Sequence, residues 1–383
     1  MFKGFLLLLP YLEEYILDTT SKVNVGIVGT GTISSIYLQA PQKFAILNTV
    51  ACADIDMERA RAQAAKYHVP KACTVEELLA DPDIDVVVNL TIPQVHAEIS
   101  LAAIEAGKSV YSEKPLAINR EAGRAILEAA RQKNLRVGCA PDTFMGAGLQ
   151  TCIKLINDGA IGQPVAATAF MPSHGPESWH PNPEFFYQPG SGPMLDMGPY
   201  YLTALISMIG PMRRVAGMAR ISFPQRTITS RPKYGSQITV NTPTHVSGLL
   251  EFAGGAQAMI LTSFDVWANH LPRIEVYGSE GTLSVPDPNT FDGPVYLWQQ
   301  STGEWREIPL IHEYSQNSRG LGIADMAYAM RAGHAHRASG EMALHVLDIM
   351  QSFLESSEQS RFIELTTTCE RPAPFSGKEV WDR

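Results

Sequence analysis

Apolar and polar positions follow two different rhythms along this chain. Over residues 22–142, short apolar runs alternate with stretches of helical spacing, the order expected of a parallel sheet covered by helices. Val23–Val28 reads as a strand, residues 32–38 begin a helix, and 49–53 form a second strand. Met57–Tyr67 is rich in Ala, Arg and Gln, as a helix should be. Thr74 with Glu77 three residues on is a capping-box pattern. Residues 85–90 are a continuous apolar run of the kind buried on both faces. A helix over 96–106 stopped by Gly107, a strand at Ser109–Ser112, a helix over 120–133 and a strand over 135–139 continue the alternation.

Beyond about residue 143 the rhythm changes. Strand-like runs at 164–171, 214–221, 244–252, 256–264 and 273–277 follow one another with turns between them, which predicts a mostly antiparallel sheet. An apolar helix over 194–209 ends at Gly210-Pro211, and residues 340–355 form an amphipathic helix. Residues 224–243, with their Pro, Thr and Ser, read as a long loop.

Bulk properties narrow the function. At 383 residues, two domains are expected: residues 22–142 and 143–383, after an N-terminal extension over 1–21. With 45% hydrophobic and 18% charged residues and a mean hydropathy of −0.05, the composition is that of an ordinary folded protein. The net charge of −9 and the lack of a basic patch argue against a nucleic-acid partner, and no membrane surface is implied. Cys52, Cys73, Cys139, Cys152 and Cys369 are odd in number and never in a C-x-x-C pair. They signal neither a disulfide framework nor a zinc site, and a reducing cytoplasm fits them best. The apolar run before Pro10 is followed by Glu13 and Glu14 and lacks a small-residue cleavage site, unlike a signal peptide. No His/Asp/Glu set has metal-ligand spacing, and no Gly-x-Ser-x-Gly elbow is present.

Gly29-x-Gly31-x-x-Ser34 directly follows the first strand and opens a helix, the context a dinucleotide fingerprint requires. Gly29 permits the tight turn, and Gly31 lets the backbone, with Thr32 and Ile33, approach a pyrophosphate. Ser34 stands where the third glycine is usual. Asp54 ends the second strand about 20 residues further on, where a carboxylate can accept from an adenosine ribose hydroxyl. It would repel a 2′-phosphate, and with no Arg before Arg59 the local charge favours NAD over NADP. Helix capping is the plainer role for Asp54. Thr91, Pro93 and His96 form another strand-to-helix turn at the same edge of the sheet, where His96 either lines the nicotinamide side or simply packs. The fold class is therefore an α/β Rossmann domain followed by an α+β domain with a large open, mostly antiparallel sheet.

Three segments together resemble one family: Gly-Thr-Gly-Thr-Ile-Ser at 29–34, Ala-Gly-Lys-Ser-Val-Tyr-Ser-Glu-Lys-Pro at 106–115, and Gly-Pro-Met-Leu-Asp-Met-Gly-Pro-Tyr at 192–200. The chain is similar to the glucose-fructose oxidoreductase, inositol dehydrogenase and MocA family of nicotinamide enzymes, from about Val23 to the C-terminal region. The resemblance implies a Rossmann domain paired with an open-sheet domain, oxidation of a secondary alcohol on a sugar or inositol, Glu113 and Lys114 near the nicotinamide ribose, and a cis bond before Pro115. In much of the family a histidine stands where this chain has Tyr200, as the glucose-fructose oxidoreductase branch does.

The chemistry gives these residues roles. Removal of hydride from a carbinol carbon needs a base for the hydroxyl proton and a cation at the oxygen. Lys114 can supply the cation, held charged by Glu113 and Asp196. Asp196 and Tyr200 are one helical turn apart and share a face, while Pro199 between them predicts that a first turn or a kink falls there. A phenol near its ordinary pKa of ~10 is a poor base unless a cation lowers it, which predicts a Tyr200–Lys114 couple with Asp196 orienting the substrate or the lysine. Trp179 and His180, in a proline-rich segment just before this helix, are candidates for sugar contact or for a rigid cover. Asp142 and His336 are weaker candidates, and His174, His245 and His345 read as structural.

The function expected is NAD-dependent oxidation of a sugar or polyol. The alternatives are a redox-neutral glycosidase or epimerase working through a transient keto-sugar, and a non-catalytic NAD-binding sensor. The rear face of the open sheet must be covered, so a homodimer or homotetramer is expected.

Overall fold

A computed structural model describes residues 21–376, and the extension expected over 1–21 lies, but for Ser21, outside them. Among the described residues a six-stranded parallel sheet runs in the order Lys71–Cys73, Leu47–Ala53, Val23–Val28, Val86–Asn89, Ser109–Ser112, Val137–Cys139. Val86, Val87 and Val88 are wholly buried, as the unbroken apolar run requires of a strand covered on both faces. The flanking helices start where polar caps stand. Asp56 accepts from the Glu58 and Arg59 amides, Thr74 and Glu77 close a capping box, and Asn119 accepts from the Ala122 amide. Strand order reverses between Val23–Val28 and Val86–Asn89, and a crevice opens at the carboxyl ends of such strands.

The second sheet has nine strands, in the order Trp305–Ile308, Val295–Gln299, Gly281–Val285, Ile274–Gly278, Pro164–Pro172, Gln257–Ser263, His245–Phe252, Met212–Arg220, Ile363–Glu364. Every pair is antiparallel except Pro164–Pro172 with Gln257–Ser263. Helices Ala147–Asn157, Pro193–Ile209 and Gly340–Gln359 cover one face. The last of these approaches closely because Gly217 and Gly248, paired across two strands, leave bare backbone, where a Cβ on either would stand within 2.7 Å of the Phe353 ring. The other face leaves Met218, Leu249 and Met259 exposed.

Two sequence expectations are corrected. Residues 224–243 are not a plain loop: Gln225–Thr227 and Gln237–Thr239 pair as a small hairpin, held because Arg226 is buried against Glu177 and Asp265. The helix Pro193–Ile209 carries Pro199 in its interior, so the first turn does not fall there. Pro199 lacks an amide hydrogen, which deprives only the Leu195 carbonyl of its usual intrahelical donor.

The C-terminal segment returns to the first sheet. Cys139 donates its amide to the Ala338 carbonyl at 3.0 Å. Arg120, at the start of helix Arg120–Gln132, bonds to Asp348, to Ser352 Oγ at 2.9 Å and to Glu355 Oε1 at 2.6 Å on helix Gly340–Gln359. That helix therefore packs against both sheets' layers and fixes one to the other.

Candidate active site

Gly29 has φ +97°, and a Cβ there would lie 2.7 Å from the Leu90 backbone, so only glycine fits this turn. At Gly31 a Cβ would meet no protein atom within 4 Å, so the space before the turn is open to a ligand. Ser34 is buried and donates to the Gly31 carbonyl at 2.7 Å, so the serine in the third glycine position ties the turn down. Thr32 and Ile33 project outward beside it.

Asp54 differs from its expected setting. It is only 7% exposed, and its two oxygens already accept from the Thr30 amide and hydroxyl, the Asp56 amide, and Arg59 Nε and Nη2 at 2.6–3.1 Å. Burial raises its pKa, but the bonds from Arg59, Asp56 and Thr30 outweigh this and bring it down to about 2. Arg59, one helical turn away, thus folds back and offsets the carboxylate's charge. Charge repulsion by Asp54 is therefore weaker than the sequence alone implies.

His96 is corrected from a cofactor-lining residue to a positioning one. It is buried, with Nδ1 2.7 Å from the Pro115 carbonyl and Nε2 3.0 Å from the Thr91 carbonyl, and burial lowers its pKa. It ties the Thr91 turn to the Lys114-Pro115 turn, whose peptide bond is cis. Glu113 accepts from Tyr37 Oη at 2.8 Å and from the Lys114 amide at 3.1 Å.

Lys114 reaches from the end of strand Ser109–Ser112 to the first turn of Pro193–Ile209. Its Nζ donates to Asp196 Oδ1 at 2.7 Å and to the Asp196 carbonyl at 2.8 Å. It also lies 5.4 Å from the centre of the Tyr200 ring. Burial disfavours the ammonium, but Asp196, Tyr200 and Glu113 reverse this and raise its pKa above the usual value. The expected couple is corrected: Lys114 bonds to Asp196 and faces the Tyr200 ring, and burial outweighs the pull of the cation, so the phenol's pKa is raised and not lowered. Burial raises the Tyr200 phenol above its usual range; Lys114 and Arg319 pull the other way.

These groups border one cavity of about 330 Å³, into which Ile33, Thr91, Pro93, Glu113, Lys114, Asp196 and Tyr200 project. Sequence reasoning missed two further lining residues, Asn289 and Arg319. Arg319 Nη2 donates to Asn289 Oδ1 at 2.7 Å and to its carbonyl at 3.2 Å. Its turn is held by buried Asp142, which accepts from the Gly320 and Gly322 amides at 2.9 and 3.0 Å. Asp142 thus acts on the site by holding the turn that carries Arg319. No motif flags Arg319, because the contacts that place it span the whole chain. Of the two readings open for His180, the structure fits the rigid cover: it packs edge-on against Trp179, Phe185 and Phe186 and does not border this cavity. Trp179 borders a neighbouring cavity. His336 bonds the Val137 carbonyl, and His345 accepts from the Met212 amide.

A glycine turn at a strand-order reversal, with a cation from the same sheet meeting a carboxylate and a phenol from a helix beside the second sheet, defines a dinucleotide-dependent oxidoreductase of two-domain build. The chain belongs to the Gfo/Idh/MocA oxidoreductases: the profile "Oxidoreductase family, NAD-binding Rossmann fold" matches residues 23–140 and "GFO/IDH/MocA C-terminal domain" matches 149–284. Its first domain is thus an NAD-binding Rossmann domain. Similar proteins include the inositol 2-dehydrogenase of Rhizobium meliloti, 25% identical over 90% of this chain and 99% of that protein. The 1,5-anhydro-D-fructose reductase of Ensifer adhaerens is 34% identical over 39% of this chain, a match that spans less than half (46%) of that relative. Levoglucosan dehydrogenase in complex with NADH and L-sorbose shares the fold, with a TM-score of 0.79 over 91% of this chain and 100% of that one at 21% identity.

Proposed function

We propose that the protein is an NAD-dependent dehydrogenase that oxidises a secondary hydroxyl of a sugar or polyol to a ketone. Bound NAD supplies the hydride acceptor. Lys114 has three N–H bonds, of which Asp196 takes two, leaving one to hold the substrate oxygen. The raised lysine pKa keeps that donor charged through neutral pH. Tyr200 first loses its own proton to solvent, and the phenolate oxygen then takes the substrate hydroxyl proton as hydride leaves the carbinol carbon; Asp196 fixes the lysine. Arg319 adds a second positive charge toward the phenol.

The observation that carries this reading is the convergence, in one cavity, of Lys114 from the first sheet with Asp196 and Tyr200 from the helix beside the second. The inositol dehydrogenase and levoglucosan dehydrogenase likenesses support the substrate class. The test is a panel of hexoses, inositols and glycosides incubated with NAD and followed for both reduced cofactor and released aglycone. Accumulation of NADH is expected. Aglycone release without NADH would move the reading to a redox-neutral enzyme, and neither signal from any compound would refute both.

A further inference from the structure

A second cavity of about 250 Å³ adjoins the first, and Asp196 and Phe186 border both. Its wall is of a different kind. Trp179, Phe186 and Met197 offer apolar faces, and Arg273 with Asp287 offers donors and acceptors. Arg273 Nε and Asp287 Oδ2 lie 3.4 Å apart with both side chains partly exposed, a loose pair that brings no net charge for a phosphate or a carboxylate ligand. Tyr201 Oη lies buried in the wall without a hydrogen-bond partner.

The aromatic wall is built in advance. Trp179 is 67% exposed although it is large and apolar, and it sits on a loop that cannot readily collapse over it. Glu177, two residues before it, is buried against Arg226, and its carbonyl accepts from the Thr229 and Ser230 amides at 2.9 Å each. An exposed indole on an anchored loop, edge-on to Phe186 and beside paired donors and acceptors, is suited to a ligand with apolar C–H faces and hydroxyl edges. The first cavity must take both a nicotinamide and the reacting ring, and about 330 Å³ is near the lower end of small-molecule sites, ~300–1,000 Å³. The adjoining space is then left for something attached to that ring.

We infer that the second cavity is a subsite for a second, uncharged sugar ring or comparable aglycone, so that the preferred substrate is a disaccharide or glycoside. This rests on the dehydrogenase reading. The ring to be oxidised lies over Lys114 and Tyr200, the glycosidic link crosses Asp196, and the second ring stacks on Trp179 with its hydroxyls toward Arg273 and Asp287.

The test compares glucose and galactose with maltose, cellobiose, trehalose, melibiose and the phenyl glucosides, by steady-state rates with NAD and by calorimetric binding in the presence of NADH. At least one two-ring compound is expected to show kcat/KM tenfold or more above its parent hexose and correspondingly tighter binding. In Trp179→Ala and in Arg273→Met that preference ratio should fall about tenfold. Parity between hexoses and all two-ring compounds in both measurements, or a ratio unmoved in both variants, overturns the subsite. Two-ring compounds that bind more tightly yet are never oxidised leave the subsite standing and defeat the dehydrogenase reading instead.

Discussion

Replacing Arg226 by methionine tests whether the wall around Trp179 is held by charge. The guanidinium is 5% exposed and donates through Nε to Glu177 Oε1 at 2.7 Å and through Nη1 to Asp265 Oδ1 at 2.7 Å; those two carboxylates are 6% and 7% exposed. Its Nη2 also donates to the His174 and Phe264 carbonyls at 2.7 and 3.0 Å. Removing one partner of a buried pair costs about 3–5 kcal/mol, because the other charge is left uncompensated. Here Glu177 keeps its bond from Tyr187, and Asp265 its bond from Thr244 Oγ1 at 2.7 Å, which moderates the loss. The two carbonyls losing donors add about 1 kcal/mol each. A total near 5 kcal/mol follows. At ~2–4 °C per kcal/mol for a large domain, the second domain's melting transition should fall by roughly 10–20 °C in scanning calorimetry. A loosened loop should also raise KM for sugar more than it lowers kcat. Adding Glu177→Gln to Arg226→Met should recover part of the loss, since one stranded charge is gone. A fall of less than about 3 °C, or strict additivity in the double variant, would refute the reasoning.

Tyr200→Phe should lower kcat about a hundredfold. Because burial raises the phenol pKa, the wild-type oxidation rate should climb with pH on the alkaline side, and a pH–rate profile of the variant should lose that limb. Asp54, at about 2 when folded against ~3.9 unfolded, contributes roughly 2–3 kcal/mol of stability above pH 4, which is lost as pH falls toward 2. The gap in melting temperature between wild type and Asp54→Asn should therefore narrow steadily below pH 4. Arg59→Ala leaves the Asp54 charge uncompensated, so the ratio of kcat/KM with NADP to that with NAD should fall about tenfold; an unchanged ratio would place Arg59 outside the adenosine site. If a second copy covers the open sheet face, Met218→Asp with Leu249→Asp should convert a dimer or tetramer to monomer in light scattering.

The first domain was legible because its signals are local. The capping box at Thr74 and Glu77, the valine run at 86–88 and the glycine turn each announce themselves within a few residues, whereas the cap offered for Asp54 falls to Asp56. The helix Leu321–Ala332 is hidden in the sequence because most of its turns are buried, which leaves only a weak amphipathic period. The strands Gly281–Val285 and Val295–Gln299 and the edge strand Trp305–Ile308 were likewise not read from the sequence. At the site, Lys114, Asp196 and Tyr200 stood in recognisable motifs, whereas Arg319 and the Arg226 ion pairs depend on partners tens to hundreds of residues away. Asp54 shows the intermediate case. Its position was readable, but its saturation by Thr30 and Arg59 was not, because side-chain direction decides which neighbours meet.

Lys114 comes from one sheet's strand and its anchor Asp196 from a helix laid against the other, with Gly340–Gln359 bolted across both through Arg120. Severing the chain after residue 142 would consequently yield a nucleotide binder whose ammonium has lost its counter-ion and whose acceptor for the departing proton is missing. Reactivity in this molecule is a property of the docked pair, and trimming the final helix should abolish it as surely as removing Tyr200 itself.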